Sequence, residues 1–299
     1  MNKMKKVIAF AACATMVATL SGCTSSSAKY TKVGFGMTIT PGDKTSTTTA
    51  TVALDSKGKV AFIDIDAFQT PNKKDETKTK KELQADYGMK DASAIKKEWF
   101  EQAEEFEKWA TGKTLEEIAG VETMDFHGGK AANTGTDLAA GCTIVLDDIL
   151  AAIEEAGKNM TEVKADKVGA GEISSYNEEK GQKNTTTAAV ALDSKGKVVW
   201  SFVDVSQNPN GKDESKSKKE LQADYGMKDA SAIKKEWFEQ AEEFEKWANG
   251  KTADEIAGVE TMDFHGGKAA KTGTDLAAGC TIVIDDFLGA YAEAIANAK

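Results

Sequence analysis

The chain has no arginine among its 299 residues. All of its basic charge is lysine, so the planar fork that usually grips a phosphate is missing. A phosphate held here is held by backbone, by lysine or by a covalent bond. Histidine is nearly as scarce: His127 and His265, one in each half, do not make a metal centre. The four cysteines, Cys13, Cys23, Cys142 and Cys280, are too few for a disulfide framework, and no pair has zinc-ligand spacing. No Ser–His–Asp order and no sharply placed carboxylate pair marks a hydrolase, so no catalytic residue and no metal ligand is assigned. A formal net charge of -10 leaves no basic face for nucleic acid.

What is present begins with "MNKMKKVIAFAACATMVATLSGC". A basic start, an apolar run from Val7 to Leu20 and a small-residue end read as a secretory signal, too short for a stable membrane span. Its last four residues, "LSGC", resemble the bacterial lipobox. The expectation is a signal peptide at 1–22, a lipidated Cys23 and a short polar tether through residue 29. Acyl chains on Cys23 would hold the mature protein on the extracellular face of the cell membrane, at about 0.8 kcal/mol per buried CH₂. The apolar stretch of the signal also matches the kind of peptide that is trimmed to a pheromone.

The rest of the chain is a duplication. Lys80–Val145 returns as Lys218–Val283 with four changes, at Thr111, Leu115, Glu116 and Asn133. "TTTATVALDSKGKV" from Thr47 is answered by "TTTAAVALDSKGKV" from Thr185. The period is far longer than a solenoid repeat. The reading is two whole domains, 30–157 and 163–299, joined by a linker at 158–162.

Within each copy the pattern is mixed. The Thr47 segment reads as a hairpin, with β-branched runs on either side of "DSKGK". A further strand is expected before it, in "YTKVGFGMTI" and "DKVGAGEI". In the second hairpin Val198, Trp200 and Phe202 read as one face, with Val199, Val203 and Val205 on the other. "DASAIKKEWFEQAEEFEKWATG" reads as an amphipathic helix capped by Asp91 and stopped at Gly112, with Ile95, Trp99, Ala103, Phe106 and Ala110 on its apolar stripe. "VLDDILAAIEEAG" and "VIDDFLGAYAEAIANA" read as closing helices. The expected fold class is α+β: two tandem copies of a small antiparallel sheet packed with helices.

Between those helices lies "TGTDLAAGCTIV", present twice, letter for letter. It resembles the flavinylation motif of the FMN-binding domains, roughly Asp-Gly-x-Ser/Thr-Gly-Ala-Thr, whose last threonine carries FMN through a phosphoester made from FAD by a separate flavin transferase. The resemblance places the flavin on Thr143 and Thr281, the motif aspartate at Asp137 and Asp275, and the motif glycine at Gly141 and Gly279. Leu138, Ala140 and Cys142 depart from the pattern, and the second copy departs in the same way. With the lipobox and the duplication, the chain is similar to the covalently flavinylated electron-transfer lipoproteins of Gram-positive bacteria. That resemblance implies two covalent FMN groups, a membrane quinone-linked donor or upstream flavoprotein, and an extracellular acceptor such as ferric iron.

The other reading is a lipoprotein that binds a ligand or cell-wall component and is never flavinylated. Cys142 and Cys280 read as small packing residues. His127 and His265 read as exposed loop residues, the other reading being a hydrogen bond or proton transfer to a flavin. Phe126, Phe264, Tyr87 and Tyr225 are candidate stacking rings, whereas helical spacing sends Trp99 and Trp237 to the core.

Overall fold

The computed structural model describes residues 28–72 and 74–299; the signal segment 1–22 and Cys23 lie outside the described residues. The first copy runs β1 (Tyr30–Thr40), β2 (Thr45–Leu54), β3 (Val60–Thr70), α1 (Lys80–Leu83), α2 (Trp99–Ala110), α3 (Leu115–Ala119), β4 (Thr123–Phe126), β5 (Gly129–Ala132) and α4 (Asp147–Lys158). After β6 (Thr161–Ala165) the order returns as β7 (Lys167–Asn177), β8 (Gln182–Leu192), β9 (Val198–Asn208), α5 (Lys218–Leu221), α6 (Trp237–Ala248), α7 (Ala253–Ala257), β10 (Thr261–Phe264), β11 (Gly267–Ala270) and α8 (Asp285–Ala296). The fold is α+β, with antiparallel sheets throughout the described residues.

The strands form because threonine, valine and alanine alternate along them and the turns are chemically specified. Asp55 closes the β2–β3 turn by accepting from the Lys57 and Lys59 amides at 2.8 and 2.9 Å, while Gly58 takes φ +73°. The expected face alternation fails at one residue in each hairpin. Leu192 pairs with Val198 and Ala191 with Trp200, so Val199 is a bulge. Val198 therefore joins Val203 and Val205 under the helices, and Trp200 and Phe202 face the other way.

The main helix starts later than its periodicity suggests. Lys96 has φ +54°, which breaks the helical path, and α2 begins after Glu98, held by a capping box with Glu101. Asp91 is thus not the cap, and Ile95 lies ahead of the helix in a turn. From Trp99 onward the stripe holds: Trp99, Ala103, Phe106 and Ala110 pack with Ile63, Ile65 and Ala67 of β3. α4 covers β1 and β2 with Ile149, Ala152, Ile153 and Ala156. Phe106, Ile65 and Leu146 are fully buried, each contributing about 2 kcal/mol of burial free energy.

The two sheets meet face to face. Val33, Phe35, Met37 and Ile39 on the inner side of β1 lie in clusters with Ala189, Ala191, Trp200 and Phe202 of the second copy. Phe35 stacks on Phe202 with centroids 4.8 Å apart. Farther along, the seam is polar: Thr47 and Ser206 share a hydrogen bond of 2.9 Å, and Thr49 donates to Glu172 at 3.4 Å. The segment expected to be a plain joint, 158–162, is the end of α4 and the start of β6. That strand adds to the edge of β1, giving the order β3-β2-β1-β6. Thr161 pairs with Val33 there, and Lys299 exchanges backbone hydrogen bonds with Val168 at the matching place of the second copy.

Candidate functional site

Each copy presents its threonine on the wall of a cleft between α2 or α6, the short hairpin and the loop before the closing helix. The loop geometry comes from its small residues. Thr136 accepts the Ala139 amide at 3.3 Å and so caps the turn at Leu138–Ala140. Leu138 points into the core at 2% exposure, and its carbonyl accepts from the Cys142 amide at 2.8 Å. At Gly141 a Cβ would lie 2.9 Å from Glu105 Cβ on α2, so the loop passes against that helix only as glycine. Gly279 stands in the same relation to Glu243.

Thr143 emerges from this turn half-exposed, fixed by one residue the sequence reading missed. Gln102, fully buried on α2, accepts both the Thr143 backbone N–H at 2.7 Å and its hydroxyl at 3.1 Å through the same Oε1. Its amide nitrogen donates to Ser93 Oγ and to the Lys97 carbonyl, both at 3.1 Å. Gln240 repeats the arrangement on Thr281, at 2.8 and 3.1 Å. A signal existed: a glutamine three residues after Trp99, on an otherwise apolar stripe, in both copies.

The first cleft has a volume of 610 Å³ and is lined by Thr143, Gln102, Trp99, Tyr87, Phe126, His127, Lys80 and Asp148 among others. In the second copy a 920 Å³ cavity holds Thr281, Gln240, Phe264 and His265, and a neighbouring 330 Å³ cavity holds Lys218, Trp237 and Asp286. The equivalent of Ile149 there is Phe287, which faces Trp237 edge-on with centroids 5.8 Å apart.

Lys80 is the second residue not foreseen. Its ammonium lies 5.4 Å from the Tyr87 ring centroid and 5.3 Å from that of Trp99, a cation held over aromatic faces. Burial brings it down to about 8 against the opposing pull of Asp66 and Asp148. Lys218 matches it, at 5.3 and 5.5 Å from Tyr225 and Trp237, and is also brought down to about 8 by burial. In a chain without arginine these lysines put a cation in the first cleft beside Thr143 and, in the second copy, in the cavity next to that of Thr281.

The remaining candidates separate. Asp275 lines the second cavity and Asp137 does not line the first, but both are exposed and neither makes a capping bond. His127 and His265 sit at exposed hairpin tips with φ +47°, each followed by glycine in a tight two-residue turn, and each borders its cleft. Cys142 and Cys280 are fully buried, free thiols, and burial pushes each up to about 12. They pack, as do Trp99 and Trp237. Among the described residues no cluster of three or more acidic, histidine or cysteine side chains is placed to hold a metal, and no helix is long and apolar enough to cross a membrane.

No protein-family model, no curated protein and no solved structure matches the chain.

Proposed function

We propose that this protein is an exported, lipid-anchored electron carrier with FMN esterified to Thr143 and Thr281. The observation that carries the reading is the paired placement of those threonines. Two copies of a loop with no other evident chemistry each set a half-exposed threonine hydroxyl on the wall of a cleft. The residues around it fit the group. A cleft of 610 Å³ is in the range of cofactor sites, which run from about 300 to 1,000 Å³. Trp99, Tyr87 and Phe126 offer aromatic surface for a planar ring system. Lys80 offers positive charge toward a phosphate or a reduced, anionic ring.

Bound FMN would supply the redox step. The chain's own part is to hold the cofactor covalently, to limit water around it with Trp99 and Ile149, and to keep Lys80 and His127 beside it as charge and proton partners. Covalent attachment suits an exported carrier, because a flavin held by affinity alone is lost to the medium. Donors would be a membrane quinol or an upstream flavoprotein; acceptors would be ferric iron or another extracellular oxidant. Cys23 would supply the membrane anchor.

The test is the intact mass of the chain produced with and without a flavin transferase, alongside in-gel flavin fluorescence. Two FMN increments, one lost in Thr143→Ala and the other in Thr281→Ala, are expected. No increment, where a known acceptor is modified in parallel, would remove this reading and leave a ligand-binding lipoprotein.

A further inference from the structure

Resting on that reading, we propose that Gln102 and Gln240 are the positioning residues that present the acceptor hydroxyls for esterification.

Hydrogen-bond direction leaves little freedom here. Gln102 is fully buried, so each of its polar atoms needs a partner. Oε1 takes two hydrogens from Thr143, and Nε2 gives its two to Ser93 Oγ and the Lys97 carbonyl. The amide has one acceptable orientation. Inverted, it would set its NH₂ against the Thr143 N–H and its oxygen against the Lys97 carbonyl oxygen. With the orientation fixed, the hydroxyl hydrogen of Thr143 points at Gln102, and the Oγ lone pairs are left toward the cleft. The backbone N–H of the same residue is tied to the same oxygen, so main chain and hydroxyl are located together. The loop's own hydroxyl takes no part in this, since Thr136 turns away to the Asn133 carbonyl and the Ala139 amide. The hold on the acceptor comes from the helix, and both copies have it.

The step this serves is a phosphoryl transfer with no change of oxidation state. Threonine Oγ bonds to the flavin-side phosphorus of a flavin adenine dinucleotide, the pyrophosphate P–O bond breaks, and adenosine monophosphate leaves. The hydroxyl proton passes to a base of the transferase, since an amide oxygen is too weak a base to keep it. Gln102 directs the nucleophile; it does not activate it.

The experiment follows flavin incorporation at each site of the full chain, by mass of the separated peptides, with FAD and a flavin transferase. Gln102→Leu is expected to slow labelling at Thr143 by about 100-fold, the scale of a misplaced reacting group, while labelling at Thr281 in the same molecule is unchanged. Gln240→Leu gives the mirror result. Gln102→Glu keeps the accepting oxygen and is expected to label within a few-fold of wild type, although a buried carboxylate facing the Lys97 carbonyl lowers its melting temperature below that of Gln102→Leu. A purely structural glutamine predicts the opposite order, with labelling following stability. That order, or equal labelling of Gln102→Leu and wild type, overturns the glutamine's role alone. A wild-type chain that takes up no flavin is a different result: it overturns the parent reading and this one with it.

Discussion

Gly36 and the carbonyl of Ala152 stand so close that a Cβ on the glycine would lie 2.0 Å from the helix oxygen. The contact lets α4 lie directly on β1, and it recurs where Gly171 meets α8, a Cβ there falling 2.5 Å from the Ala294 nitrogen. Neither partner can yield, because both are backbone. Gly36→Ala is therefore expected to lower unfolding free energy by about 3 kcal/mol, the upper end of ordinary overpacking. Gly58→Ala, at φ +73° with open space around it, is the comparison and should cost about 1 kcal/mol through backbone strain alone. Urea unfolding of the two variants checks the order.

Stability should fall as pH rises from 5 to 8. Asp66, Asp204 and Glu172 are buried at the sheets' inner faces, at 3%, 3% and 7% exposure. Burial raises all three, with the Lys81 ammonium opposing it at Asp66 and that of Lys219 at Asp204. Glu155 is raised to about 7 by burial, although its carboxylate accepts the Met37 amide. A raised acid binds its proton more tightly in the folded chain than in the unfolded one. Its contribution is complete below the unfolded value and is lost as pH climbs through the folded value. Taking Asp204 from 3.8 to about 6 corresponds to roughly 3 kcal/mol. Lys80 and Lys218, brought down to about 8, carry a constant cost below that pH and leave the slope to the acids. The urea midpoint is expected to be higher at pH 5 than at pH 8, with a shallower difference in Asp204→Asn.

Lys80→Met should stabilise the unmodified protein. The side chain is partly desolvated and forms no salt bridge among the described residues, so an apolar replacement of similar length relieves a cost. A gain of about 1 kcal/mol is expected, typical where a residue serves function over stability. On the proposed function the same variant weakens the cleft for an anionic cofactor. Thermal melts of the chain before and after flavin loading should move in opposite directions relative to wild type.

The two packed thiols offer a plain test of the loop. In the chain without its first 23 residues, iodoacetamide at pH 8 should leave Cys142 and Cys280 unlabelled, since both are buried and pushed up to about 12. Both should react once urea unfolds the chain. Rapid labelling of the folded protein would mean that the turn around Thr143 opens readily.

Much of the fold was legible from pattern. Strand alternation, the "DSKGK" turns and the aromatic stripe of α2 are local signals, and local signals survive in sequence. The bulge at Val199 was not legible, because a single unpaired residue leaves no mark until the partner strand is known. The start of α2 was hidden for a related reason: the stretch from Asp91 to Glu98 keeps a helical spacing of apolar residues, and only the left-handed turn at Lys96 reveals that it is not helix. At the site, Thr143 and Thr281 could be singled out from a repeated motif. Gln102 and Lys80 come to the threonine from distant segments, so their spacing in the chain carries no message. The glutamine on the stripe of α2 stands out in both copies, but its partner is known only once the loop lies against that helix.

The inner face of β1 has a consequence for why the chain is double. A lone copy would expose Phe35, Met37 and Ile39 to water on an uncovered sheet, and such a surface drives self-association. Two copies held on one thread meet at an effective concentration in the millimolar range, whatever the abundance of the protein. Dilution, which would dissolve a pair of separate halves, leaves this one intact.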